Sequence, residues 1–227
     1  MSEVYNFILY FFIYSIMGWL LEVTCCLFSE RKFVNRGFLL GPVCPIYGYS
    51  VVLMILIIGQ GNKDILSIFL KSILVCSVLE YFTSYFMEKI FKARWWDYSD
   101  KRFNINGRIC LETMLPFGIM GTLALYFIQP KFRYLVSLLS FKLKVIITIT
   151  LLVIYILDNI ISFKVMKKIK IQIKKQKEDN TKVIKKKVTE WINENSILYK
   201  HIVKAFPHFK IIDRVKNLVK KKDVNKE

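Results

Sequence analysis

Five long apolar stretches limit what this chain can fold into. The first, Val4 to Phe28, contains a single charged residue, Glu22. A helix of this length measures about 37 Å, which exceeds the ~30 Å hydrocarbon layer of a bilayer. The other four stretches run approximately over residues 38–59, 65–91, 109–129 and 145–166. The pattern predicts an all-α integral membrane protein with about five transmembrane helices.

Charge divides the chain into two parts. Hydrophobic residues make up 54% of the 227 residues, which excludes an ordinary soluble enzyme. Residues 1–163 hold 15 Lys and Arg against 10 Asp and Glu, whereas residues 164–227 hold 20 against 7. We therefore expect a transmembrane helical domain over 1–163 and a basic tail over 164–227.

The distribution of cations predicts how the spans are oriented. The loops after the first and third spans and the first twenty residues of the tail carry 17 Lys and Arg on one side, against 5 on the other. The positive-inside rule then places the amino terminus outside and the tail in the cytoplasm. Residues 131–144 are the weak point of this prediction, because their four cations lie on the side with fewer. A surface or re-entrant helix there would change the number of spans.

Two parts of the chain have similar sequences. With a shift of 58, both the first and third spans read L-E-x5-F-x-E-[RK], starting at Leu21 and Leu79. With a shift of 70, the segment from Arg31 to Gly48 aligns with Lys101 to Gly118. Chance similarity between apolar helices is the alternative. We interpret the match as a parallel repeat of two helical hairpins, an arrangement known in transporters.

Helix-breaking residues lie in the second helix of each predicted hairpin. They are Gly41, Pro42, Pro45 and Gly48 in the first and Pro116, Gly118 and Gly121 in the second. Proline removes a backbone donor, and the carbonyls released in a membrane need partners inside the protein or in a wet cavity. Matching interruptions indicate a binding site, or kinks that only help the helices to pack.

Acidic residues inside apolar stretches favour one of two roles. An ionised carboxylate is costly at the bilayer centre, so these side chains should face inward. In one interpretation Glu22 and Glu80 contact a cationic substrate or a proton in a polar cavity that opens to the cytoplasm. The candidate residues of that cavity are Glu22, Arg36, Glu80, Arg108 and Asp158. In the other, each glutamate is an internal brace that is ion-paired with Arg36, Arg94 or Arg108.

Two loops combine turn formers with arginine. Asn35, Arg36 and Gly37 form one such motif, and Asn106, Gly107 and Arg108 form the other. Their guanidinium groups can bind lipid phosphates, a substrate or the neighbouring glutamates. The second loop also carries Arg94, Trp95, Trp96 and Asp97. With Tyr98, its aromatic residues are typical of an interfacial belt, with a ligand-stacking site as the alternative.

The tail is basic and, from Val188 onward, amphipathic. Apolar residues recur there mostly three, four or seven positions apart, which predicts an amphipathic helical segment. Lysines beside a leaflet that contains anionic lipids are attracted to it, so we expect the tail to lie along the inner membrane surface. We expect no nucleic-acid binding, because lysines dominate and no recognised binding fold accompanies them.

Four segments resemble one family of bacterial multi-pass membrane proteins, the putative ABC-transporter permeases of the CmpB type. They are G-W-L-L-E (18–22), F-V-N-R-G-F-L-L-G-P-V-C-P-I-Y-G (33–48), R-W-W-D-Y-S (94–99) and N-I-N-G-R-I-C-L (104–111). The similarity covers roughly residues 5–165. It implies a bacterial cell-membrane protein involved in transport. It also implies a separate ATPase subunit, because the chain has no G-x-x-x-x-G-K-[ST] run.

We therefore expect a permease-like component of a transporter that works as a homo-oligomer or with an ATPase. A non-transporting membrane scaffold or regulator, which recruits partners through its loops and tail, is the alternative. An enzyme is not expected, because the apolar body has no His, no Ser/His/Asp set and no metal-ligand spacing. We expect no cofactor and no metal.

Overall fold

The structure, a computed structural model, describes residues 2–59, 64–91, 93–175 and 210–211, and most of these are helical. The helices are α1 (Ser2–Glu30), α2 (Pro45–Ile58), α3 (Ile65–Phe91), α4 (Leu111–Thr122), α5 (Gln129–Ser137) and α6 (Phe141–Lys175). A π-helical turn, Leu123–Ile128, joins α4 to α5. The short strands are β1 (Ala93–Arg94), β2 (Asn104–Ile105), β3 (Ile109–Cys110) and β4 (Lys210–Ile211).

Four helices in the described part of the chain are long and apolar enough to cross a membrane. They cover residues 3–30, 65–91, 111–137 and 141–168. The first and second of these helices agree closely with the first and third spans predicted from the sequence. The predicted fourth span stops at Gln129, but the helix continues through α5 to Ser137, so that Lys131 and Arg133 lie on its last turns.

The second predicted span is not one long helix. We expected it over residues 38–59, whereas α2 has only 14 residues, Pro45–Ile58, and measures about 21 Å. Gly41 and Pro42 lie in irregular backbone before this helix, and Pro45 is its first residue. Proline is favoured there because its missing N–H would have no partner in the first turn. Pro45 therefore starts a helix instead of interrupting one. The number of five crossings stays a prediction.

The chain runs back and forth along one direction. Gly48 of α2 packs against Phe11 and Ser15 of α1, and Tyr47 packs against Gly18, so α1 and α2 are antiparallel. Likewise the end of α4 lies beside the start of α3, where Thr122 and Leu123 share a groove with Ile65 and Leu66. The first helix of each predicted hairpin therefore lies beside its second helix.

Helix α6 runs parallel to α1. Near its start, the Lys144 ammonium donates to Asn6 Oδ1 at 3.0 Å. Twelve residues before its end, the Phe163 ring packs on Phe38 and Phe91 with centroids 5.2 and 5.5 Å apart. Phe91, which ends α3, and Phe163, which precedes the first lysine of the tail, thus lie at one end of the bundle together with the segment that follows α1.

The core occupies the opposite half of the bundle. Tyr10 and Tyr14 of α1 are buried there with Met54 of α2, Ile68 of α3 and Ala124 of the π-helical turn. The outer surface remains apolar, as expected of helices that face lipid. Leu70 and Leu74 on α3 and Ile154 on α6 are each more than half exposed.

Gly48 sets the distance between α1 and α2. A Cβ at this position would overlap the Phe11 carbonyl oxygen and the Ser15 hydroxyl, and would lie 2.7 Å from the Phe11 ring. We expect Gly48→Ala to lower the free energy of unfolding by about 1–3 kcal/mol, because backbone atoms must move apart. Unfolding in mixed detergent micelles measures the change. Ser50→Ala, which removes a hydroxyl bonded to Ile46 O in the same helix, is the control. Equal stability of Gly48→Ala and the wild type would contradict the close packing.

The basic tail is described only in part. Helix α6 continues to Lys175, and β4 pairs antiparallel with β1, so that Arg94 lies opposite Lys210. The predicted amphipathic segment otherwise lies outside the described residues. The division into a body over 1–163 and a tail over 164–227 stays a prediction.

Candidate functional site

Both irregular segments that follow long helices turn back along the bundle. After α1, the chain returns until the Cys44 backbone N–H donates to Ser15 O at 3.0 Å, about halfway along that helix. After α3, residues 93–110 include the β2–β3 hairpin. This segment brings the Tyr98 hydroxyl to within 3.3 Å of Glu80, which lies eleven residues before the end of α3. Helix α2 therefore begins inside the bundle, whereas α4 begins at Leu111, which is exposed.

Glu22 lies where the first returning segment becomes α2. The Tyr47 hydroxyl donates to Glu22 Oε1 at 2.6 Å. Tyr47 fits there because Gly18, one turn before Glu22, has no side chain to occupy the space of its ring. Glu22 itself is half-buried.

Glu80 occupies the equivalent position in α3 and is much more buried. Its side chain is 6% exposed. Oε1 is hydrogen-bonded to the Tyr98 hydroxyl at 3.3 Å, whereas Oε2 is buried without a hydrogen-bond partner. Burial, together with the neighbouring carboxyl groups of Glu80 and Glu22, raises the pKa of the Tyr98 hydroxyl. Glu22, Glu80 and Tyr98 therefore share one electrostatic environment.

The arginines bind acids other than Glu22 and Glu80, the partners expected from the sequence. Arg36 pairs with Glu30 at 3.5 Å. Arg94 and Arg108 both pair with Glu88, at 3.2 and 2.8 Å. The ion pairs expected for Glu22 and Glu80 are thus made by Glu30 and Glu88 instead, and no arginine pairs with Glu22 or Glu80 in the part of the chain that the structure describes. In both halves the paired Arg follows its Glu by six residues, at 30/36 and 88/94.

Arg108 is held on several sides. Its side chain is 9% exposed, and its guanidinium lies 5.6 Å from the ring centroids of both Tyr81 and Tyr85. This combination of a carboxylate and two aromatic faces satisfies much of the buried charge. Arg108 therefore secures the second returning segment against α3.

The two tryptophans of the second loop pack against the protein, whereas Phe103 in the same loop is 78% exposed. Trp95 is 3% exposed and packs on Phe38 and Phe91, with centroids 5.9 and 6.0 Å apart. The Trp96 indole N–H donates to Arg108 O at 3.1 Å. The interfacial-belt interpretation is therefore wrong for Trp95, because the loop turns back and buries it between helices.

Asp97 organises the same loop. Arg94 Nη1 lies 3.2 Å from Asp97 Oδ1, and this oxygen also accepts from the Ser99 backbone N–H at 3.1 Å and from its hydroxyl at 2.5 Å. Gly107 has a φ of 66° and lies so close that a Cβ would be 2.7 Å from Asp97 Oδ1. A side chain at residue 107 would therefore be strained and crowded.

The asparagines of the two turn motifs hold the loops in place by hydrogen bonds. The Asn35 side chain accepts from the Trp19 indole N–H at 2.6 Å and donates to Leu40 O at 2.8 Å. Gly37 has a φ of 106°, which favours glycine. In the second motif, the Asn106 amide donates to the Tyr81 hydroxyl at 2.9 Å. Each asparagine thus ties its loop to the preceding long helix.

Asp158 lies apart from the two glutamates and binds irregular backbone. Its carboxylate accepts from the backbone N–H groups of Leu40 at 2.9 Å and Gly41 at 2.8 Å, and from the Ser162 hydroxyl at 3.2 Å. These amides have no helical partner because they precede α2. Asp158 therefore replaces the hydrogen bonds that a continuous helix would have made.

The five predicted cavity residues thus form three groups. Glu22 and Glu80 share one electrostatic environment, Arg36 and Arg108 bind acids nearer the loops, and Asp158 supports the first returning segment. Sequence reasoning missed Tyr47 and Tyr98 as partners of the glutamates. The shift of 58 pairs the glutamates, but it could not identify the tyrosines, since Tyr47 lies in the first turn of α2 and Tyr98 lies in the second loop. Among the described residues, no group of three or more His, Cys, Asp or Glu could hold a metal ion.

Comparison with known families agrees with the resemblance drawn from the motifs. Residues 9–163 match the model of a family described as putative ABC-transporter type IV. The match includes both returning segments, and it stops where the basic tail begins. No curated protein and no solved structure matches the chain.

Proposed function

The chain belongs to the putative ABC-transporter type IV family, and from this membership we propose that it is the membrane-embedded, permease-like component of a transporter. Four helices of spanning length and an apolar outer surface are compatible with a membrane component. We propose that it lies in the bacterial cell membrane, as the family resemblance implies. We propose an outside amino terminus and a cytoplasmic tail because the cations lie mostly after α1, after α3 and after Phe163, and Phe163 packs on Phe38 and Phe91.

One observation carries this proposal: two returning segments bring irregular backbone and paired acids into the bundle. Irregular backbone at membrane depth is tolerated where it is buried in protein or lines a cavity. Transporters use such interrupted crossings from repeated units to bind substrates between the repeats. Here Tyr47 and Tyr98 bind Glu22 and Glu80 at that level. The arrangement favours a site for a cation or a proton.

The energy source of this transporter would lie on another chain. The 227 residues contain no G-x-x-x-x-G-K-[ST] run, which is the loop that binds ATP phosphates in P-loop ATPases. We therefore propose a separate ATPase subunit as the partner. The cytoplasmic end of the bundle, where Arg94 and Arg108 hold the second loop on α3, is the surface available for it.

The ATPase proposal can be tested on the native complex. We expect the tagged full-length chain, purified from its native membranes, to carry a subunit with a P-loop and to hydrolyse ATP. Replacing the P-loop lysine of that subunit should abolish hydrolysis and leave the complex assembled. Glu112→Gln in this chain, which removes only an exposed pair with Lys101, is the control and should keep full activity. Purification of the chain without any P-loop subunit would contradict the proposal.

A scaffold or regulator remains the second candidate, and one contact favours it. Strand β4 of the tail pairs with β1, directly beside Arg94 in the second loop. A tail that reaches this loop could present partners to it. Deleting residues 176–227 distinguishes the two functions: a permease should keep its ATPase subunit and hydrolysis, whereas a scaffold should lose its partners. We also propose that the tail contacts anionic lipids, because of its lysines.

A further inference from the structure

Glu80 lies in surroundings that do not suit a charged carboxylate. Its side chain is 94% buried, as its 6% exposure shows, and Oε2 has no hydrogen-bond partner. The ionisable groups that face it are the Tyr98 hydroxyl from the loop and the Glu22 carboxyl from α1. The Cys76 thiol lies one turn earlier on α3. None of these groups carries positive charge.

The three arginines considered as partners of Glu80 bind other acids. Arg94 and Arg108 bind Glu88, and Arg36 binds Glu30. Within the described ranges, no Lys or Arg lies at ion-pair distance from Glu80. An ionised carboxylate buried without a counter-ion is strongly disfavoured. A neighbouring acid makes ionisation still less favourable.

A proton removes this conflict without needing further space. Glu80 Oε1 lies 3.3 Å from the Tyr98 oxygen, so a protonated Oε1 can donate to that oxygen. The unpartnered Oε2 is then a neutral carbonyl oxygen, which costs far less to bury than a charge. Glu22 differs, since it is half-buried and accepts a 2.6 Å hydrogen bond from Tyr47. The two equivalent glutamates, although they influence each other electrostatically, therefore differ in burial and in hydrogen bonding.

We propose that Glu80 is a proton-binding site and holds a proton in this conformation. The step is a simple transfer: hydronium gives its proton to a carboxylate oxygen, one O–H bond breaks and one forms, and nothing is oxidised or reduced. Proton binding at Glu80 deepens the proposed function. Only the role of the proton rests on that function, because a permease could couple the movement of its substrate to this proton. The binding itself needs neither a substrate nor an ATPase.

Infrared spectroscopy tests the proposal directly. We expect the purified full-length protein in lipid nanodiscs at neutral pH to show the carbonyl band of a protonated carboxyl, which shifts when water is replaced by D₂O. Glu80→Gln should abolish this band. Glu112→Gln, which changes an exposed glutamate, should retain it. Size-exclusion chromatography of each variant confirms that the protein is folded.

A second variant gives an answer even if Glu80→Gln fails to fold. Tyr98→Phe removes the hydroxyl that contacts Glu80, so the band should move to higher wavenumber as the carboxyl loses its hydrogen bond. A band that is absent from the wild type at neutral pH would overturn the proposal. So would a band that stays unchanged in Tyr98→Phe, or one that disappears in Glu22→Gln and persists in Glu80→Gln. Because no step uses ATP, these results are independent of whether an ATPase subunit is found.

Discussion

Replacing Glu88 with glutamine is expected to lower the free energy of unfolding by about 3 kcal/mol. Glu88 Oε2 binds both Arg94 and Arg108, at 3.2 and 2.8 Å. Removing the acid leaves two neighbouring guanidinium groups without their counter-charge, and breaking a buried pair typically costs 3–5 kcal/mol. We expect the lower end because the Glu88 side chain is 18% exposed. Unfolding in mixed detergent micelles measures the difference.

The chain provides a matched control for this prediction. Lys101 and Glu112 also form an ion pair, at 2.8 Å, but their side chains are 51% and 60% exposed. Exposed pairs contribute about 0–1 kcal/mol, so Glu112→Gln should change stability by less than about 1 kcal/mol. Similar losses in both variants would show that Glu88 does not act as a buried link between α3 and the second loop.

Asp158→Ala should destabilise the protein by about 2–4 kcal/mol. The substitution leaves the backbone N–H groups of Leu40 and Gly41 without the acceptors that they now have at 2.9 and 2.8 Å. Each buried donor that loses its partner costs about 1–3 kcal/mol. Asp158→Asn keeps one acceptor oxygen, so it should lose roughly half as much. Proteolysis between residues 31 and 44 should increase in parallel, because that segment loses its hydrogen bonds to Asp158 of α6.

An exposed aspartate distinguishes this effect from simple loss of charge. Asp100 lies in the second loop and is exposed. Asp100→Ala should change stability by no more than about 0.5 kcal/mol, as is usual for surface substitutions. If Asp158→Ala is equally mild, water must satisfy the amides of residues 40 and 41, and Asp158 is then not required for the irregular segment.

Long apolar runs made most of the helices predictable. The bounds predicted for the third span coincide with α3, Ile65–Phe91, because 27 residues with few charges have one stable form in hydrocarbon. Family membership was also readable from short motifs, and the matched range, residues 9–163, confirms it. The second span was predicted over residues 38–59 with interruptions at its glycines and prolines, whereas its helix begins only at Pro45. Hydropathy depends on residue type and not on backbone conformation. It therefore counts residues 38–44 as part of an apolar span, whether or not they are helical.

The partners of the charged residues could not be read from the sequence. Glu30 and Glu88 are at the predicted membrane boundary, where an acid needs no special partner, yet they bind the arginines. Which side chain meets each acid depends on how far each loop turns back along its helix. The second loop brings Tyr98, and not an arginine, to Glu80. The parallel repeat stays a prediction, although the matching Glu-to-Arg spacing in both halves supports it.

The sequence alone determined that this chain forms long apolar helices with a basic end, since burying a backbone in lipid leaves few alternatives to the helix. The tertiary structure decided where helix gives way to irregular backbone and which acids keep a counter-ion. The decisive contacts are long-range: Asp158 meets Leu40 across 118 residues of sequence. A hydrogen bond between such distant groups exists only once the helices have packed, so no local pattern can show it.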